Sequence, residues 1–298
     1  MADLKEYLEQ HYLNETQLAG AAAITGAELA ALINERLIPE ASYVVTARDT
    51  VRSFAFGELN ASGARPGSYF PPAQLAWIAL AREALAYGST QEAHALLKEQ
   101  FMLRYAAALA TLNQSTWRLH DSFSDTGAPI AKALRARAES AWTYFLNGTY
   151  GVCVANPVSE AHIACKEVLQ EKLEHESNSG LKTLFTPQQV VAMHELIDAY
   201  AAASAPFSPV DYPFSSRKRL VDELRAGIRA ATPQCALRHT NKRSDVSPHP
   251  EQVVVTAGQA HQGVRVGPGC AQVLNRRIHI EQQRAPGVVA HHALDPEK

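Results

Sequence analysis

Between Pro71 and Ala231 the chain passes through six stretches of helical apolar period, each opened by a proline or a capping residue, and this commits most of it to helix. Pro71 and Pro72 stand where a first helical turn tolerates proline, ahead of Leu75, Ile78, Ala79 and Leu85. Thr90 precedes a longer run through Ala93, Leu96, Leu97, Phe101, Tyr105, Ala108 and Leu112. A third stretch covers residues 129–146 and stops at Asn147-Gly148. Ser159 opens a fourth through His162, Ile163, Val168 and Leu173. Thr186-Pro187 opens a fifth through Val190, Met193, Leu196 and Ile197, and Ser216 a last one through Leu220, Leu224 and Ile228.

The first 60 residues are patterned differently. Residues 3–13 put Leu4, Tyr7 and Leu8 on one helical face. Asn14 or Thr16 caps a short second helix through Leu18 and Ile24. Thr25 and Glu28 form a capping box for a third, through Ala27, Leu29, Leu32 and Ile33, which Pro39 ends. The period then changes: 42–46 (SYVVT) and 50–56 (TVRSFAF) flank Ala47-Arg48-Asp49 as a small hairpin. Residues 57–69 read as a Gly/Pro/Ser loop. The expected fold is mainly α: a winged helix-turn-helix module over 1–60, a helical domain over 70–232 and a poorly structured tail over 233–298.

The tail is set apart by what it lacks. Residues 233–298 contain no Phe, Trp, Tyr or Met, the side chains that supply much of a core's buried area. They carry 8 Lys+Arg against 5 Asp+Glu, so the rest of the chain holds 20 bases and 25 acids. Only 252–256 and 273–280 look strand-like, too little to fold alone. The stretch reads as an extension outside the evolved domain, of the kind a shifted reading frame would append. Six of the 12 histidines lie in it and do not count toward a site.

A net charge of -2 offers no general attraction to nucleic acid or anionic lipid. No window reaches 18 uninterrupted apolar residues, and the opening MADLKEYLEQHYL has no secretory apolar region, so a cytoplasmic protein without a membrane span is expected. Four scattered cysteines do not make a disulfide framework. Phosphate-binding glycine loops, a GxSxG elbow and HExxH are all missing, so no cofactor is assigned.

Candidate chemistry concentrates in two places. The segment 142–165 brings together Trp142, Tyr144, Tyr150, Cys153, His162 and Cys165. Its Cys-x8-His-x2-Cys spacing lacks a fourth ligand, so no metal is expected there. The stretch 117–121 supplies Trp117, His120 and Asp121, with Asp125 close behind. Cys153 as nucleophile and His120 as base are the candidate catalytic pair. Trp117, Trp142, Tyr144, Tyr150 and His162 are the candidate binding residues around them. The basic run Arg217-Lys218-Arg219 falls in a first helical turn, where the dipole disfavours it, and reads as solvated or anion-binding.

Residues 15–39 (ETQLAGAAAITGAELAALINERLIP) resemble the DNA-binding start of MerR-type winged-helix regulators, with Ile24-Thr25-Gly26 at the turn. In such proteins one helix reads the major groove and the wing touches phosphate. Residues 1–60 hold 9 acids against 4 bases, which opposes phosphate contact and suits packing or partner binding. Taken together, Tyr7-Leu8 with Tyr12-Leu13, 42–45 (SYVV), 54–58 (FAFGE), Tyr69-Phe70, 145–153 (FLNGTYGVC), 205–209 (APFSP) and 215–222 (SRKRLVD after Ser215) look like a bacterial family of unknown function. Its members are labelled natural-product biosynthesis proteins. That resemblance spans about residues 4–230 and implies a role beside secondary-metabolite pathways. The expected partner is a small molecule in a pocket of the helical domain, or a pathway protein. A ligand-responsive regulator and a non-catalytic adaptor are the competing expectations.

Overall fold

The computed structural model describes residues 3–61 and 63–231; the expected tail over 233–298 lies outside the described residues. The chain is mainly helical, with a five-stranded antiparallel sheet near its N-terminus. Among the described residues no single helix is long and apolar enough to cross a membrane.

Helix α1 (Leu4–His11) is capped by Asp3 and buries Leu4, Tyr7 and Leu8, the face its spacing predicts. Strand β1 (Leu13–Asn14) leads into α2 (Glu15–Ala21), where Asn14 rather than Thr16 is the cap and exchanges side-chain bonds with Gln17. Thr25 and Glu28 form the expected box at the start of α3 (Gly26–Asn34). The two helices cross at 99°, within the range of helix-turn-helix pairs. Helix α3 ends at Asn34, well before Pro39, because Arg36 adopts φ 56 and Leu37 turns into the core.

The hairpin forms between β2 (Tyr43–Val45) and β3 (Thr50–Ser53), with Asp49 at φ 55 in its turn. The stretch expected as loop instead supplies β4 (Gly57–Asn60), paired to β3, and β5 (Gly67–Phe70), paired to both β2 and β1. Strand order is β1-β5-β2-β3-β4. Local composition hid these strands because Gly57 and Gly67 are poor strand residues; pairing to the exposed edges of β2 and β3 overrides that preference.

Helix α4 (Gln74–Leu85) is rotated from its expected register. Trp77, Ile78, Ala81 and Ala84 face inward, while Ala79 is exposed and Leu75 and Leu85 are half-buried. Trp77 sets the rotation: its ring packs on Phe145 and its Nε1 donates to the Pro157 carbonyl at 2.7 Å. Ser89, not Thr90, caps the 26-residue α5 (Thr90–Ser115), and Leu96 is exposed. Helices α6 (Ala131–Leu146) and α7 (Thr149–Cys153) meet at Asn147-Gly148, where a turn alone was expected. Then follow α8 (Glu160–Glu176) and α9 (Pro187–Ala203), and a π-helix (Lys218–Glu223) that runs into α10 (Leu224–Ala231).

The core is shared across the chain. Leu18, Leu29 and Leu32 of the N-terminal helices pack in one cluster with Trp77, Phe101 and Phe145. A second cluster joins Tyr7, Tyr12 and Tyr43 to Cys153 and Phe207. A third packs Leu173, Met193 and Ile197 against Leu220, Leu224 and Ile228. The α6–α7 corner closes the first seam. Gly148 has φ 76, and a Cβ there would stand 2.8 Å from the carbonyl oxygens of both Glu40 and Ala41. Gly148→Ala is therefore expected to destabilise the protein by about 2 kcal/mol, combining a left-handed residue with a backbone clash. Urea unfolding measures this, and a loss below about 0.5 kcal/mol would show that the corner yields.

Candidate functional site

Helix α8 lies between α5 and α9, so little of its surface reaches water. It buries Ile163, Val168 and Leu173 as its pattern predicts, but also Lys166, Glu167, Gln170 and Glu174. Charges held this far from water persist only when paired and hydrogen-bonded. Each neighbouring element supplies partners. Tyr105 of α5 donates to Glu167 Oε2 at 2.6 Å, and Tyr150 of α7 donates to Oε1 at 3.0 Å. Lys166 Nζ donates to Gln170 Oε1 at 2.5 Å, and Gln170 Nε2 to Glu174 Oε1 at 3.3 Å. Arg219 closes that end, donating to Glu174 at 2.7 Å and to the Ser179 carbonyl at 2.7 Å.

Arg137 of α6, whose side chain is 0% exposed, stands beside Glu171 of α8. It donates to both oxygens of Asp121 at 3.1 and 3.2 Å and to Glu171 Oε2 at 3.1 Å. Burial pushes the Glu167 carboxyl up to about 7, even though the Tyr105 hydroxyl and the Arg137 and Lys166 charges pull it down. Burial also raises Glu171, against the opposing pull of Arg137. The Tyr150 hydroxyl is raised well above its ordinary value by burial and by the Glu167 charge.

The residues singled out from sequence fall into separate places. Trp117 and Tyr150 both reach α8, Trp117 Nε1 donating to Glu171 Oε1 at 3.3 Å. Trp142 is buried in the main core, stacked on Phe145 and edge-on to Phe101. Tyr144 lies edge-on to Phe54. His162 is exposed on the first turn of α8, its Nδ1 2.8 Å from the Ser159 hydroxyl that caps the helix, so it is not an inward-facing residue. His120 projects from the α5–α6 loop with its side chain 68% exposed, Nδ1 standing 3.6 Å from Asp125. Cys153 is only 5% exposed and packs with Tyr7, Tyr12 and Tyr43. The structure does not bring His120 to Cys153, and a nucleophile and its base must be within hydrogen-bond reach.

Around Cys153 two of the three tyrosines, Tyr12 and Tyr43, are themselves tied down. Tyr12 donates to the Gly151 carbonyl at 2.9 Å, and Tyr43 donates to Asp211 Oδ2 at 2.6 Å, an oxygen that also accepts from Ser208. Burial raises the Asp211 carboxyl. In the basic run of 217–219 the two arginines are engaged by the protein itself, while Lys218 keeps a side chain 40% exposed. Arg217 donates to the Ala201 and Ser204 carbonyls at the end of α9, Arg219 to Glu174, and Lys218 lies 3.3 Å from Glu223. The wider π turn and the cap at Ser215, rather than Ser216, let both arginines reach back.

Room for a ligand is distributed unevenly. Two voids beside the expected binding residues, one bordered by Tyr150 and one by Trp142, hold about 10 Å³ each. A groove of about 790 Å³ opens instead between α2, α3 and the β2–β5 face. Its floor includes Ala19, Leu29 and Phe70, its walls Ala30, Ile33 and Val44, and its charged lining Glu15, Arg36 and Glu40. Sequence reasoning missed this groove because it depends on β5, which was expected to be loop. Residues 97–229 match the model of a family of unknown function, DUF6058, a span that holds every member of the α8 network from Tyr105 to Arg219. No curated protein and no solved structure matches the chain.

Proposed function

We propose that the protein is a non-catalytic binding protein that takes a small molecule in the N-terminal groove, acting as an accessory component beside natural-product biosynthesis. The observation that carries this reading is the difference in room. A groove of about 790 Å³ is the size of an ordinary small-molecule site, whereas voids of about 10 Å³ admit at most a water. The chemistry-bearing side chains of the helical domain support it from the other side. Glu167, Lys166 and Arg137 are engaged with one another's neighbours across α5, α6 and α8, which makes them a scaffold for the module. The pathway association rests on the sequence resemblance alone.

A fragment library observed by NMR on the full chain tests the proposal. Hits are expected to shift amides of α2, α3 and β5, and to be lost in Ala30→Trp, which fills the groove from an exposed position. Hits clustering around Trp117, Tyr150 and Cys153 would overturn it. So would a salt-sensitive mobility shift of random duplex DNA, which would return the helix-turn-helix to a regulator.

A further inference from the structure

We propose that the N-terminal groove selects an amphipathic organic cation, a molecule with an apolar body and a protonated amine. The inference rests on the binding reading above and adds the charge of the ligand. Three buried side chains, Ala19, Leu29 and Phe70, give the groove a floor that offers hydrocarbon contact. Two carboxylates stand on its lining: Glu15 at the start of α2 and Glu40 after Pro39. Both residues are exposed, and among the described residues neither has an ion pair or a side-chain hydrogen bond. Glu28, by contrast, is held in its capping box by Thr25.

The one base on the lining, Arg36, offsets one of the two carboxylates and leaves the charged lining at a net -1. Two carboxylates against one guanidinium leave the lining net negative, with Arg82 of α4, which donates to the Ala22 carbonyl at the end of α2, as a further base nearby. An anion entering it meets repulsion, a neutral molecule gains the floor alone, and a cation gains both.

Three probes of equal chain length separate these cases: hexylammonium, 1-hexanol and hexanoate, titrated into the full chain with amide shifts of Gly20, Gly26 and Ser68 as readout. Hexylammonium is expected to bind about 3–10-fold more tightly than 1-hexanol, the scale of two solvent-exposed carboxylates, with hexanoate weakest. The ratio should fall to about one in Glu15→Gln/Glu40→Gln and shrink as salt is raised. If hexanoate equals or exceeds hexylammonium, or if the preference survives the double substitution, the charge inference is wrong while the groove remains a binding site. If 1-hexanol also leaves those amides unmoved, the binding reading fails with it.

Discussion

Arg137→Ala lowers the free energy of unfolding by about 3–5 kcal/mol, the cost of breaking a buried ion pair from one side. The guanidinium is fully enclosed and bridges Asp121, from the α5–α6 loop, to Glu171 on α8. Removing it leaves two carboxylates facing an empty space, with Glu167 close enough for its own carboxyl to feel the Arg137 charge. In a domain of this size the loss corresponds to a fall in Tm of roughly 10 °C. Arg137→Lys should recover only part of it, because one ammonium cannot make the forked contact to Asp121 and still reach Glu171. The exposed pair Arg135–Glu139 on the same helix, 66% and 45% exposed, is the control. Arg135→Ala should change stability by no more than about 0.5 kcal/mol. Chemical denaturation of the three variants decides the matter. Equal losses for Arg135→Ala and Arg137→Ala would mean that the buried bridge contributes nothing special. The Arg137→Ala deficit should also shrink in acid, where protonation of Glu171, raised by burial, relieves its repulsion with Asp121.

Most helices were legible in the sequence because caps and apolar spacing are local signals. The boxes at Thr25, Thr186 and the Ser89 neighbourhood work through residues within one turn, and each begins a helix within a residue of its expected start. Two features were not legible. Strands β4 and β5 have weak intrinsic strand character and exist because β2 and β3 offer edges to pair with, a tertiary effect that no local window contains. The α8 network was hidden for the opposite reason. Lys166, Glu167, Gln170 and Glu174 look like an ordinary solvated face, and only packing on both sides turns them inward. One signal did point that way: Tyr105 and Tyr200 fall on apolar helix faces, and a buried tyrosine hydroxyl usually requires a partner. Those partners are Glu167 and Gln170 on α8, and Tyr200 also bonds the Ser216 hydroxyl. Of the expected site residues, Trp117 and Tyr150 reach the network, whereas His120 and His162 stand in solvent, which sequence distance could not reveal.

Because Glu167 is pushed up to about 7 from 4.5, stability should fall as pH rises across that interval. The folded protein keeps the proton between about 4.5 and 7 while the unfolded chain has released it, so unfolding is linked to proton loss and is favoured by higher pH. The contribution is fully present below 4.5 and gone above 7, and it amounts to about 3 kcal/mol. Burial likewise raises Glu160, Glu171 and Asp211, which act in the same direction. His94 opposes them: its lowered pKa makes the folded protein lose stability as pH falls through the histidine range. The difference between the native chain and Glu167→Gln isolates the glutamate from these. Glutamine mimics the protonated carboxyl between the Tyr105 and Tyr150 hydroxyls, so the variant should match the native chain near pH 5 and exceed its stability near pH 8. Denaturation midpoints from pH 5 to 8 give the test, and parallel curves for the two proteins would show that Glu167 is charged throughout. A divergence with the stated sign would mean that the core of the matched region is held by a neutral carboxylic acid, which donates to one tyrosine hydroxyl and accepts from the other, and that deprotonation near neutrality loosens α8 against α5 and α7.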